Sequence, residues 1–369
     1  MSYFAPGQPE FHHLRHLQLI CWQPGKPPTA SDLLAQVARV TPGGKPTAWF
    51  FDSFLILPPC APSGNFLYAD VNIGTTRSGA GDFYAVVAPN PATARDWSDM
   101  LDSLLAAGGL VHLLDGAVAT AARAIGRPFH PRNIVIPIPY PHPNQSLFGA
   151  VGGRGIRPLN FSIAGQNLDS ASEQRLAACR WFVSAVRERW CRARPRHLHL
   201  LGFYWTYESL RYSWDVDDHW VMKELYKHLC GGAERLFWIP FYSSFNVHLL
   251  GPGRGFYFDA AFLQPNHMFY REIRGVRRAA EQARERGAGV EIEYYLEGHD
   301  MVSVGRDRHR RLRNYLNGGV KYGYMTDSAC AYYLGANDLP KMARSRDPVE
   351  RGFYDDLFRF VEGSYAPPG

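Results

Sequence analysis

Apolar and polar positions along the chain follow two alternating rhythms. Short runs rich in β-branched and aromatic residues recur at HLQLICW (16–22), AWFFDSFLIL (48–57), NIVIPIPY (133–140), HLHLLGFYW (197–205), RLFWIPFY (235–242), FYFDAAFLQ (256–264), GVEIEYYLE (289–297) and YMTDSACAYYL (324–334). Nearly continuous apolar runs of this length predict strands buried on both faces, as in a parallel sheet. Longer amphipathic stretches rich in Arg, Glu and Ala predict helices over 31–40, 93–126, 170–193, 215–232, 271–287, 307–319 and 348–363, the second broken at its Gly pair. Only the fifth run lacks a clear helix behind it. Eight strands alternating with helices predict an α/β fold, a (β/α)8 TIM barrel spanning 16–369 as one domain, with residues 1–15 as an N-terminal arm.

Segment lengths give the barrel a direction. Connections from a helix into the next strand are short, as in RPRHL (194–198) and GAER (232–235), whereas those leaving the second and third strands are long, over 58–92 and 141–169. Long irregular loops in a compact domain tend to carry function, and in a barrel they gather at the C-terminal mouth, where active sites sit.

With 369 residues, 46% of them hydrophobic and 14% aromatic, the chain can bury a large core, which argues against disorder. The net charge of +6 permits an acidic partner, but the Arg residues are dispersed and DRHRRLRN (307–314) is the only dense cluster. It reads as the solvated face of a helix, and no nucleic-acid partner is expected. Six scattered Cys without a CxxC pair suggest free thiols. The start lacks a basic region followed by an apolar core, and no stretch approaches the length of a membrane span. A cytoplasmic location with no membrane partner is therefore expected, an export signal trimmed upstream being the alternative. Composition leaves the oligomeric state open.

The charges inside strands are the chemical signal. In GVEIEYYLE, Glu291 and Glu293 alternate with Val290, Ile292 and Tyr294, so both carboxylates share one face. The outer face of a barrel strand packs under helices, so both should point inward, Glu293 nearer the mouth. The fourth strand runs into GFYWTYES, which sets Glu208 just past its end among Tyr204, Trp205 and Tyr207. Two carboxylates over one aromatic-ringed mouth suit glycoside hydrolysis, one as proton donor and the other as nucleophile or base.

Candidate substrate-binding residues follow from place and type. Trp205, Tyr207, Tyr242 and Tyr295 are ring platforms at strand ends, with Trp214 and Tyr294 nearby; Gln264, Asn266 and His267 offer donors and acceptors; Asp52 and Glu291 are strand carboxylates. Each has a plainer role open to it: aromatics fill barrel cores, Glu291 could partner an Arg, and Asp52 could pair with backbone amides. That plainer role is preferred for Asp259 and Asp327. HLH (His197, His199) has the spacing of a metal pair but opens its strand at the far end from the mouth, and no HExxH accompanies it. No metal and no cofactor is expected. GGRGIR (152–157) and GPGRG (251–255) lack the setting of a phosphate loop, and no GxSxG elbow is present.

LLGFYWTYES, FWIPFYSS, FYFDAAFLQPNHMF, GVEIEYYLE and the upstream FFDSFLIL resemble, in order and spacing, an uncharacterised bacterial domain family whose members look like TIM-barrel glycoside hydrolases. The likeness covers about residues 16 to 362. A wider resemblance is to the retaining barrel glycosidases that carry an acid/base Glu after strand four and a nucleophile Glu on strand seven. It implies those roles for Glu208 and Glu293, on a carbohydrate substrate. One departure stands out: those enzymes place an Asn before the acid/base, and here Tyr207 precedes Glu208, leaving Asn266 or Gln264 to contact the sugar 2-hydroxyl. The alternatives are a non-catalytic glycan-binding barrel and a barrel lyase or isomerase.

Overall fold

The computed structural model describes residues 2–22, 28–67, 91–125, 131–152, 157–244, 246–296 and 306–368, and the backbone of two short strands, Thr75–Arg77 and Phe83–Ala85. Residues 68–74, 78–82 and 86–90 of the long segment after the second strand, residues 153–156 of GGRGIR, and Glu297 lie outside them.

Eight parallel strands close into a barrel in chain order: β1 (His16–Cys21), β2 (Ser53–Leu57), β3 (Arg132–Ile138), β4 (Leu198–Trp205), β5 (Arg235–Trp238), β6 (Ala260–Leu263), β7 (Gly289–Glu293) and β8 (Cys330–Tyr333), which pairs back with β1. Every expected strand run overlaps one of them, β3 starting one residue ahead of its run at Arg132. The helices are α1 (Ala30–Val37), α2 (Ala94–Leu105), α3 (Leu110–Ile125), α4 (Leu168–Ala193), α5 (Asp218–Leu229), α6 (Arg277–Arg286), α7 (Arg306–Tyr322), α8 (Tyr324–Asp327), α9 (Asp338–Arg344) and α10 (Pro348–Glu362). The expected break separates α2 from α3, where a side chain on Gly109 would meet the Ser103 carbonyl at 2.5 Å. The front of AWFFDSFLIL departs from expectation: Pro46–Trp49 pairs antiparallel with Ala38–Val40 outside the barrel, so β2 begins only at Ser53.

Strand alternation sorts the core into two parts. Outward residues such as Phe54, Ile134, Trp238, Val290 and Ile292 pack beneath the helices. Leu17, Leu19, Leu55, Val135, Phe237, Phe262 and Ala331 fill the interior. The arm completes that interior from below. Phe4, Phe11 and Leu14 are buried against it, Phe4 exchanges backbone hydrogen bonds with Ala288 and Ala329, and Phe4 meets Phe262 edge-on at 5.9 Å. The arm is thus the floor of the barrel. His199 stacks there on His12 at 3.6 Å, which puts HLH at the end opposite the mouth.

One irregularity decides what faces the mouth. Ile134 pairs with Leu200 but Val135 pairs with Gly202, leaving Leu201 as an extra residue in β4. Leu198 and Leu200 point outward, yet after the bulge it is Phe203 and Trp205 that point outward and Tyr204 that points in. A one-residue slip exchanges the two faces. Gly202 permits it, since a Cβ there would lie 2.0 Å from the Arg235 carbonyl oxygen. The even-numbered residues beyond it, through Glu208, therefore turn toward the barrel axis.

Candidate active site

Above the packed interior the mouth opens into a cavity of about 350 Å³. Leu19, Cys21 and Leu57 lie on its β1 and β2 side; Tyr204, Thr206 and Glu208 come from β4 and its extension; Gln264 and Asn266 follow β6; Glu291 and Glu293 come from β7 and Tyr295 follows it; Tyr333 ends β8. Phe269 and Tyr270, from the loop after β6, complete an aromatic wall. Within it the Tyr295 and Tyr333 hydroxyls are 2.6 Å apart, and Phe269 packs against both rings at 5.7 and 6.0 Å.

The acids are joined by a chain of amides. Gln264 Nε2 donates to Oε1 of Glu208 at 3.0 Å and to the Ile239 carbonyl at 2.9 Å, while its Oε1 accepts from Asn266 Nδ2 at 3.4 Å. The backbone N–H of Asn266 then donates to Oε1 of Glu293 at 3.1 Å. Asn266 holds a left-handed backbone, φ 52°, that few residues other than Gly adopt cheaply. Asn is one of those few, which suits it to the turn that aims its N–H at Glu293. The other oxygen of Glu293 accepts from the buried Tyr315 hydroxyl of α7, which also accepts from the Met268 N–H at 3.3 Å.

Burial sets the electrostatics. Glu293 is fully enclosed and Glu291 is 2% exposed, whereas Glu208 stands exposed at the rim. Loss of solvent, opposed by the Tyr315 and Asn266 donors and reinforced by the nearby Glu208 charge, pushes Glu293 up to about 8. Glu291 is raised well above the ordinary carboxyl range, first by burial and then by the charges of Glu293 and Glu208. Acids this close titrate together, and the donors aimed at Glu293 favour ionising it before Glu291.

Of the residues singled out in the sequence, six meet in the cavity: Glu208, Gln264, Asn266, Glu291, Glu293 and Tyr295. Four do not. Asp52 lies at the opposite end, where its carboxylate accepts from the Arg15 and His16 N–H groups at 3.1 and 3.2 Å and from Ser53 Oγ at 2.6 Å, tying the arm to the first turn of the barrel. Trp205 and Tyr207 are turned outward by the β4 bulge and pack on Tyr140 at 5.9 and 4.9 Å. Tyr242 sits edge-on to Phe241 at 5.0 Å, away from the lining. His267 is also buried off the cavity, with Nδ1 against the Ile273 carbonyl at 2.5 Å. Asp259 is structural as expected, accepting from the Leu236 N–H at 2.8 Å. Tyr204, Thr206, Phe269, Tyr270, Tyr333 and Tyr315 were not read as site residues. Inward alternation on β8 would have flagged Tyr333, but nothing local marks Tyr315, which arrives from a helix.

The fold and the site define a (β/α)8 barrel with an acidic, aromatic-walled cavity at its C-terminal mouth. The chain belongs to the family described as a domain of unknown function (DUF4855), which matches residues 26–359. No curated protein sequence matches it. Solved structures similar to it include the spore cortex-lytic enzyme SleL of Bacillus cereus (10% identity, TM-score 0.41, 96% of this chain and 76% of that one). D-psicose 3-epimerase of Clostridium cellulolyticum has 10% identity and TM-score 0.41 over 96% and 100% of the two chains. The tryptophan synthase α-subunit of Pyrococcus furiosus has 10% identity and TM-score 0.37 over 98% and 99%.

Proposed function

We propose that the chain is a glycoside hydrolase acting on an oligo- or polysaccharide with retention of configuration, Glu208 serving as acid/base and Glu293 as nucleophile. The observation that carries this reading is the convergence of an exposed and an enclosed carboxyl group on one aromatic-walled cavity, joined through Gln264 and Asn266.

In this mechanism Glu208, at the rim, protonates the departing glycosidic oxygen while Glu293 attacks the anomeric carbon. Glu208 then takes a proton from the water that releases the sugar. Tyr315 and the Asn266 N–H hold the Glu293 carboxylate in one orientation and favour its ionised form. The two acids share a proton productively: the Glu208 charge raises Glu293, so moving the proton to Glu208 removes that repulsion and frees the nucleophile. Faces of the wall rings can stack on sugar C–H groups.

Glu208→Gln and Glu293→Gln should each lower turnover of a cleavable glycoside by about 10³-fold or more. A variant that keeps near-normal turnover removes its residue from the mechanism. A second reading, a lyase or isomerase using Glu293 as a lone base, is favoured by its pKa near neutrality. Under it Glu208→Gln would stay active while Glu293→Gln would not.

A further inference from the structure

Three glutamates line the cavity, and the described residues around it include no Arg, Lys or His. The hydrolytic steps above employ Glu208 and Glu293, which leaves Glu291 without a task. It is also the costliest of the three, since it is buried and the two charges that act on it are both negative. A buried acid normally has a cationic or hydrogen-bonded partner, or is absent. Its surroundings suggest what the partner would be. Tyr270, Tyr295 and Tyr333 line the same space, and aromatic faces beside carboxylates are the chemistry that recognises an ammonium group. An acidic sugar, such as a uronate, sulfate or phosphate ester, would find three carboxyl groups and no cation among the described lining residues.

We infer that the substrate is a saccharide bearing a free, protonated amino group, and that Glu291 is the specificity residue that holds it. This deepens the hydrolase reading and rests on it. In the empty cavity burial and the neighbouring carboxyl groups favour the protonated form of Glu291; when the sugar enters, that proton leaves to solvent and an ammonium–carboxylate pair replaces it, so charge balances with one proton released per ligand. The titratable groups sharing the cavity are Glu293 on the same strand and Tyr295 just past its end, Tyr204 and Glu208 from β4 and its extension, Tyr270 from the loop after β6, Tyr333 from β8 and Cys21 from β1. None of them is a cation that could substitute for the ligand.

The test is calorimetric titration of the whole chain with methyl glycosides of glucosamine, galactosamine and mannosamine. Each is used as the free amine, as the N-acetyl derivative and as the parent hydroxyl sugar, in two buffers of different ionisation enthalpy near neutral pH. At least one free amine should bind about tenfold or more tightly than both of its neutral counterparts and release about one proton. Glu291→Gln, which keeps the side-chain shape, should abolish the preference and the proton release, its fold being checked by circular dichroism. The inference is overturned if no free amine outbinds its neutral counterparts, or if wild-type binding releases no proton; neither result depends on a variant. The hydrolase reading stands apart from it. Cleavage of neutral aryl glycosides in preference to amino ones would sink the ammonium site alone, and tight amine binding without cleavage of any aryl glycoside would sink hydrolysis alone.

Discussion

Replacing Glu293 with Gln should change how stability depends on pH, and this can be measured without any substrate. Burial, with the Glu208 charge, lifts this carboxyl from its ordinary 4.5 to about 8. Between those values the native chain holds a proton that the unfolded chain has lost, so stability falls as pH rises through the window. One such proton contributes about 1.4 kcal/mol per pH unit, on the order of 5 kcal/mol across the whole window. Three buried histidines act in the opposite sense. His16, held down to about 3, and His142 and His267, each held down to about 4, stay neutral in the native state while their unfolded counterparts protonate, so their contribution rises with pH up to about 6.5. Both proteins share those histidines, and the difference between them isolates the acid pair. Urea unfolding in steps of about one pH unit, from about pH 4 to 9, reads that difference. Wild type should lose ground to Glu293→Gln steadily up to about pH 8 and then level off. Because the Glu293 charge also raises Glu291, the curve reports the pair rather than one residue. Parallel stability curves for the two proteins would refute the claim that Glu293 holds its proton at neutral pH.

Other consequences follow from the same contacts. Tyr315→Phe removes a donor to the Glu293 carboxylate, so the acid limb of kcat/KM should move about one to two pH units upward; a downward or absent shift would remove Tyr315 from that role. Asp52→Ala strands three donors at the barrel floor and should cost about 2–4 kcal/mol in urea unfolding, with kcat/KM unchanged within about threefold. A selective loss of activity would return Asp52 to the site. Gly202→Ala drives a methyl group into the Arg235 carbonyl and should cost at least about 3 kcal/mol, and a neutral result would contradict the bulge.

Much of this architecture was legible in the amino-acid order because its cause is local. Apolar runs of strand length, separated by amphipathic ones, specify a parallel barrel. Strict alternation in Gly289–Glu293 was enough to place Glu291 and Glu293 inside it. The β4 side was harder to read. The pattern in HLHLLGFYW contains no visible slip, so Trp205 and Tyr207 looked as well placed as Tyr204; only the close approach of Gly202 to β5 reveals which face each takes. Asp52 misled for a related reason. FFDSFLIL reads as one strand, yet the chain is pairing outside the barrel until Trp49, so the acid falls at the entry to β2 rather than inside it. Tyr315 and the sealing of the floor by Phe4 and Phe11 depend on contacts between segments far apart in the chain, which no local pattern encodes.

The most direct test of retaining hydrolysis is to trap its covalent intermediate. The protein would be incubated with a panel of 5-fluoro glycosyl fluorides, which leave the substituent at carbon 2 intact, and its peptides mapped by mass spectrometry. The expected result is one sugar attached to the peptide containing Glu293, with no label in Glu293→Gln. A sugar found on another carboxylate, or no adduct from any reagent while free glycosides are still cleaved, would contradict Glu293 as the nucleophile.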